Sequence, residues 1–95
     1  MSIVVRYSAT GLTAETYDES TRQLAEAGVE RRPDGLELHV CFGSDGNLQV
    51  TEIWESREQF SAFGERLQQM PVLRQLGIEY SSPPEIFDVH ELVRA

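Results

Sequence analysis

The chain has 95 residues, a length that fits one domain over residues 1–95. Its formal net charge is -8 and all eight basic residues are arginines, so no basic stripe favours nucleic acid or anionic membranes as partners. The single cysteine, Cys41, excludes an internal disulfide, and the lack of a signal-peptide pattern or a long apolar run predicts a cytoplasmic protein outside the membrane.

The first part of the chain predicts a strand followed by a helix. Residues 2–8, SIVVRYS, are β-branched and aromatic and precede Ala-Thr-Gly, which is typical of a strand that ends in a turn. Residues 11–28 predict a helix, because Thr13 can act as its N-cap and Gly28 follows its last turn. Its apolar stripe is thin, so we expect the helix to lie on a sheet with one side in water.

The middle of the chain predicts a β-hairpin. Residues 36–42, LELHVCF, alternate in polarity, and residues 47–55, NLQVTEIWE, follow after a short Gly-Ser-Asp-Gly connection. Asp-Gly between two such runs is the strongest short-range hairpin signal.

The second helix is predicted over residues 56–70. Ser56 and Gln59 have the spacing of a capping box, in which the first residue caps the helix N-terminus. Phe60 and Phe63 begin an apolar face with spacings of three and four residues.

The end of the chain completes the predicted topology. Residues 71–77 begin with a proline that breaks or restarts the helix, and residues 86–93, IFDVHELV, predict the last strand. The order β-α-β-β-α-β is that of an α+β ferredoxin-like fold, a four-stranded antiparallel sheet with both helices on one face.

A two-residue turn at Asp45–Gly46 sets the register of the hairpin, although a three-residue loop would shift it by one residue. The predicted pairs are Cys41 with Val50, His39 with Glu52, Glu37 with Trp54, and Leu38 with Ile53. Because side chains alternate across a sheet, one face is almost wholly apolar and the other is mixed. The apolar face carries Leu36, Leu38, Val40, Phe42 and Ile53, and the mixed face carries Glu37, His39, Cys41, Val50, Glu52 and Trp54.

Both faces of this sheet carry apolar side chains that should be buried, and two helices can cover only one face. We therefore predict a homodimer with a sheet-to-sheet contact, in which the face of Leu36, Leu38, Val40 and Phe42 meets a second copy. In the alternative arrangement, the apolar face packs on the helices and the mixed face stays exposed.

Four segments resemble small actinobacterial-type proteins of the dimeric α/β-barrel superfamily. They are LTAETYDE, PDGLELHV, DGNLQVTEIWESREQFSAFGERL and PEIFDVHEL, and the resemblance covers nearly the whole chain. The superfamily includes antibiotic-biosynthesis monooxygenases and haem-degrading monooxygenases. The resemblance implies a dimer whose sheets close into a barrel, with a pocket between sheet and helices in each subunit.

The resemblance also bears on cofactors. Trp54 matches a tryptophan that these monooxygenases carry at the end of the third strand. The first strand has no asparagine and the second helix has no haem-ligating histidine, so two further elements are missing. We expect no haem and no other cofactor.

His39 and Glu52 are the candidate catalytic residues. A glutamate can orient a histidine and prepare it as a general base near neutral pH. The alternative is a satisfied polar pair at a sheet edge or cavity wall. His90 and Asp88 are too few ligands to predict a metal site.

The candidate substrate pocket is predicted from aromatic residues and the first strand. Trp54, Phe60 and Phe63 would form its hydrophobic walls, although a lone tryptophan at a strand end is as well explained by the core. Of Tyr7 and Arg6, one points into the pocket; Arg6 there would suit an anionic substrate, or would form an ion pair.

Two functions agree with these features. The first is a cofactor-independent oxygenase, or a related isomerase or cyclase, acting on a small aromatic or polyketide-like molecule. The second is a non-catalytic dimer of the same fold that binds a small hydrophobic ligand or has a structural role. A cavity that touches Trp54 and His39 favours the enzyme, and a packed interface without a void favours the second function.

Overall fold

Four strands and three helices follow one another in residues 2–80 and 83–95, the part of the chain that the computed structural model describes. The elements are β1 (Ile3–Ser8), α1 (Ala14–Glu26), β2 (Leu36–Phe42), β3 (Gln49–Trp54), α2 (Arg57–Gln68), α3 (Val72–Gln75) and β4 (Glu85–Asp88). The sheet order is β2-β3-β1-β4, and each neighbouring pair is antiparallel. The predicted α+β fold is confirmed. None of the described helices is long and apolar enough to cross a lipid bilayer.

Both long helices begin where their caps predict. The Thr13 hydroxyl accepts a hydrogen bond from the Thr16 backbone N–H, and Ser56 does the same for Gln59. These bonds satisfy backbone donors that have no partner inside the first turn. Helix positions are therefore determined by residues only three apart in the sequence.

The hairpin has the predicted two-residue turn. The Asn47 backbone N–H donates to the Ser44 carbonyl over 2.8 Å, across Asp45–Gly46. The Asp45 carboxylate also accepts from the Ala14 backbone N–H at 2.9 Å, so the hairpin loop is tied to the start of α1. Three predicted pairs are confirmed: Cys41 with Val50, His39 with Glu52, and Leu38 with Ile53.

The predicted pairing of Glu37 with Trp54 is wrong. The register shifts between Leu36 and Leu38, so that Leu36 lies opposite Trp54 and Glu37 is the extra residue of a bulge. Leu36 therefore turns towards the helices and packs against the core, away from the face predicted to meet a partner. Glu37 instead accepts hydrogen bonds from Ser2 and Arg94.

The last strand is shorter than predicted. It ends at Asp88, which pairs with Ile3, and one further bond joins the Val89 N–H to the Ser2 carbonyl. Because Ile3 is the first residue of β1, the neighbouring strand offers no continuing ladder for residues 90–93.

The helices cover the mixed face of the sheet. Ile3, Val5 and Trp54 are 2% exposed or less and form one core cluster, joined by Leu36, Phe60 and other half-buried side chains. A second cluster of Ala9, Leu12 and Leu48 lies apart from it. The alternative arrangement, with the apolar face under the helices, is wrong.

The apolar face is left open on the opposite side. One row of apolar residues crosses all four strands, because Leu38 lies opposite Ile53, Ile53 opposite Val4, and Val4 opposite Phe87. Leu38, Val40, Phe42 and Phe87 are between 40% and 50% exposed.

Candidate functional site

A cavity of about 150 Å³ lies between the sheet and the helices and is partly open to solvent. Its apolar wall includes Leu24 of α1, Leu67 of α2 and Leu73 of α3. Its polar wall includes Tyr7, Tyr17, Arg31, His39, Glu52 and Tyr80. The volume is similar to that of an engineered protein cavity that holds one benzene ring.

His39 and Glu52 are direct cross-strand neighbours on β2 and β3. Their side chains meet over 2.5 Å between His39 Nδ1 and Glu52 Oε2. The Glu52 side chain is buried, whereas the His39 side chain is 29% exposed. Both side chains line the cavity, and the histidine is the more exposed of the two.

Glu52 is held by donors on several sides. Its Oε1 accepts a hydrogen bond from Trp54 Nε1 at 3.0 Å, and its Oε2 meets His39 Nδ1. Among the described residues, no buried side-chain nitrogen or oxygen lacks a hydrogen-bond partner. These bonds make the burial of an acidic group tolerable, since each replaces a contact with water.

Tyr17 completes the array from helix α1. Its hydroxyl lies 2.6 Å from His39 Nε2, and its ring stacks near the imidazole. If His39 Nδ1 carries a proton for the Glu52 carboxylate, the neutral imidazole leaves Nε2 to accept from Tyr17. Sequence reasoning did not assign Tyr17 to the site, and its place on the apolar stripe of α1 was the only signal for it.

The three tyrosines of the chain share one electrostatic feature. Burial raises the pKa of Tyr7, Tyr17 and Tyr80, and the negative charge of Glu52 raises each of them further. Cys41 adds to the rise for Tyr17, whereas Arg31 acts in the opposite direction. All three hydroxyls are therefore held in the protonated form, in which they can donate hydrogen bonds.

The predicted pocket residues divide into three groups. Tyr7 and Phe63 line the cavity. Trp54 and Phe60 lie behind its wall, where their rings pack 5.8 Å apart, so the structure corrects the placement of Trp54 at the cavity surface. Trp54 reaches the site only through its bond to Glu52.

Arg6 lies away from the cavity. It is exposed and pairs with Thr51 and Glu85, one residue out of phase with the strand positions that face the helices. Strand alternation therefore sends Tyr7 to the cavity and Arg6 to the opposite face.

The remaining reactive side chains lie outside this array. His90 follows the end of β4, and Asp88 lies 3.6 Å from Arg57 in an exposed ion pair. Within residues 2–80 and 83–95, no group of three His, Cys, Asp or Glu side chains is arranged to hold a metal ion. Cys41 is half-buried, and burial raises the pKa of its thiol.

No protein-family model and no curated protein sequence matches the chain. Solved structures do match over nearly its full length. SnoaB, a cofactor-independent oxygenase from Streptomyces nogalater, has a TM-score of 0.63 at 17% identity, covering 99% of this chain and 96% of its own.

A second structural neighbour is a predicted antibiotic biosynthesis monooxygenase from Deinococcus radiodurans. It has a TM-score of 0.60 at 17% identity, covering 100% of this chain and 98% of its own. At this identity a structural likeness shows the fold and carries no activity with it. The chain therefore shares the α+β, ferredoxin-like fold of these two structures.

Proposed function

We propose that this protein is a cofactor-independent oxygenase that acts on a small aromatic or polyketide-like molecule bound in the cavity. The observation that carries the proposal is the continuous hydrogen-bonded array of Tyr17, His39 and Glu52 at the cavity wall. The fold likeness supports it, because one structural neighbour is itself a cofactor-independent oxygenase.

The array is suited to removing a proton from a bound ligand. An acidic O–H or C–H of the ligand gives its proton to the Tyr17 oxygen, while the Tyr17 proton passes to His39 Nε2. The carboxylate of Glu52 then faces an imidazolium, whose positive charge it stabilises. The result is a ligand anion beside a charged histidine, with no net charge gained by the complex.

Dioxygen is the oxidant that this function requires. The ligand carbanion forms a carbon–oxygen bond with dioxygen to give a hydroperoxide after proton return from the array. Loss of water then turns that ring carbon into a carbonyl, so a phenol and O₂ yield a quinone and H₂O. The apolar wall with Phe63 and Leu67 excludes water from the ligand ring in this scheme.

A non-catalytic binding function has one specific observation in its favour. Tyr17 already occupies His39 Nε2, the imidazole nitrogen that Glu52 leaves free. If Tyr17 does not transmit the proton, the array only shapes a polar wall for a bound ligand.

Oxygen uptake with a panel of phenols and naphthols separates the two functions. Tyr17→Phe and His39→Gln should each lower the rate by about 10²-fold or more, the usual range for loss of general acid–base catalysis. Tyr80→Phe is the comparison, because Tyr80 lines the same cavity outside the array: any loss there should be in KM, with kcat within about twofold of the original. Ligand binding without oxygen uptake would favour the non-catalytic function.

We also propose that the protein works as a homodimer joined through the open sheet face. Support comes from the half-exposed apolar side chains of Leu38, Val40, Phe42 and Phe87. Contiguous exposed apolar surface of this kind marks protein–protein contacts. Leu36, which was predicted for this interface, belongs to the core instead.

A further inference from the structure

The cavity has a cation at its edge. Arg31, in the connection between α1 and β2, lines the cavity together with Tyr17 and His39. It also lines an adjoining polar groove, which Arg32 and Glu37 share. Arg31 therefore stands where the cavity and the exterior groove meet.

Arg31 has no ionic partner among the described residues. Four other arginines make polar side-chain contacts: Arg22, Arg57, Arg66 and Arg94. Arg31 is exposed, and the acids that line the same cavity or groove are Glu30, Glu52 and Glu37. Glu52 already accepts from His39 and Trp54, and Glu37 already accepts from Ser2 and Arg94. In a chain of net charge -8, an unpaired guanidinium at a cavity is available to a ligand.

Arg31 lines the same cavity as Tyr17, and its positive charge acts on the Tyr17 hydroxyl. Burial and then Cys41 raise the pKa of the Tyr17 hydroxyl. Of the groups that lower this pKa, Arg31 has the largest effect. Because both residues line this cavity, a ligand bound there is exposed to both groups.

We propose that the cavity binds hydroxylated aromatic carboxylates, with the carboxylate on Arg31 and the hydroxyl at Tyr17. The planar guanidinium matches a carboxylate through two parallel hydrogen bonds, and the apolar wall of Leu24, Leu67 and Leu73 takes the ring. This inference rests on the proposed function for its site and adds the substrate class.

Salicylate and its uncharged analogue salicylamide test the proposal, with binding followed by calorimetry or by ligand-observed NMR. Salicylate should bind the original protein, and Arg31→Gln should weaken that binding about tenfold, the scale of a lost charge-assisted bidentate contact. Salicylamide should lose no more than about twofold on the same substitution.

Arg32→Gln is the matched control. Arg32 is the next residue, is exposed, and lines the outer groove without lining the cavity. Its substitution removes the same charge from the same loop and should leave salicylate affinity within about twofold. Equal unfolding midpoints for the two variants will show that both remain folded.

Three outcomes would overturn the subsite. They are no salicylate binding by the original protein, equal losses in the two arginine variants, and equal losses for salicylate and salicylamide in Arg31→Gln. Failure of the proposed function has a different signature, because salicylate binding that depends on Arg31 would persist without oxygen uptake. If oxygen uptake with neutral phenols is the same in Arg31→Gln as in the original protein and salicylate binding is also unchanged, the proposed function stands and the carboxylate subsite is contradicted.

Discussion

Glu52 shows how a single residue couples the core of this protein to its cavity. The buried carboxylate accepts from Trp54 on the core side and from His39 on the cavity side. Removing either donor leaves a buried acceptor without a partner, which is more costly than the net value of the bond itself. Trp54 therefore affects the candidate site while remaining part of the core.

Trp54→Phe tests this coupling. The substitution keeps an aromatic ring in the core but removes the Nε1 donor to Glu52, so we expect a loss of about 1–3 kcal/mol in the free energy of unfolding. Trp54→Ala should lose about 3–5 kcal/mol, because it also leaves a cavity. Urea denaturation followed by circular dichroism measures both. A Trp54→Phe variant as stable as the original protein would contradict the coupling.

The raised pKa of Tyr7 leads us to expect a loss of stability at alkaline pH. Burial, with Glu52 acting second, raises the folded-state pKa of Tyr7 above its ordinary value of 10.0. The folded chain therefore keeps a proton that the unfolded chain releases. This stabilisation is fully present below the unfolded pKa and is lost as the pH rises above it.

Urea denaturation across this alkaline range checks the effect, with Tyr7→Phe as the comparison. The variant has no phenolic proton at this position, so its free energy of unfolding should fall less steeply as the pH rises past 10.0. The tyrosinate absorbance of the folded original protein should also appear only above the pH at which free tyrosine titrates. Parallel pH profiles for variant and original would contradict the assignment.

At the scale of elements, the helix termini and the β2 bulge show two different kinds of control. The caps at Thr13 and Ser56 act within one turn of the chain. The bulge at Glu37 instead contacts distant parts of the chain, since its carboxylate accepts hydrogen bonds from Ser2 and Arg94. This part of β2 is therefore hydrogen-bonded to residues far away in the sequence.

Ser56→Ala should destabilise the protein by about 1 kcal/mol, because it removes the acceptor for the Gln59 backbone N–H. Ser61→Ala is the matched control in the interior of the same helix, where an exposed serine has no capping role. Its effect on the free energy of unfolding should lie between zero and a gain of roughly half a kcal/mol, since alanine favours helix more than serine does. Similar thermal unfolding shifts for both variants would contradict the role of the cap.

At the scale of the whole molecule, the sheet has one covered face and one open face. The row of Leu38, Ile53, Val4 and Phe87 crosses all four strands without a helix above it. A second sheet placed over this row would bury it and complete a barrel, as the proposed homodimer requires.

Val40→Glu should weaken this dimer. Val40 is 40% exposed on β2, so a carboxylate at this position would be tolerated by the monomer but costly to bury between two sheets. Light scattering at micromolar concentration should give a dimer for the original protein and a shift towards monomer for the variant. Gln68→Glu adds the same charge to an exposed position of α2 and should leave the dimer intact.

A monomeric original protein would remove the homodimer proposal altogether. Equal dissociation in Val40→Glu and Gln68→Glu would show instead that added charge, rather than the open sheet face, weakens association.

The sequence alone determined the order of elements, the helix caps and most of the hairpin register. These features depend on residues close together in the chain, such as Ser56 with Gln59 or Asp45–Gly46 with the strands beside it. The pairing of His39 with Glu52 followed by counting back from that turn. Counting from the turn works until the bulge, because the turn sets the register and side chains alternate along each strand.

The tertiary structure decided which sheet face the helices cover and what lies beside His39. Alternation along a strand defines two faces but does not say which one a helix packs on. The bulge that turns Leu36 into the core, the position of Trp54 behind the cavity, and the contact of Tyr17 with His39 all join separate elements. Such contacts depend on how the helices pack on the sheet. A short-range sequence pattern does not specify which distant residue will lie beside a given side chain.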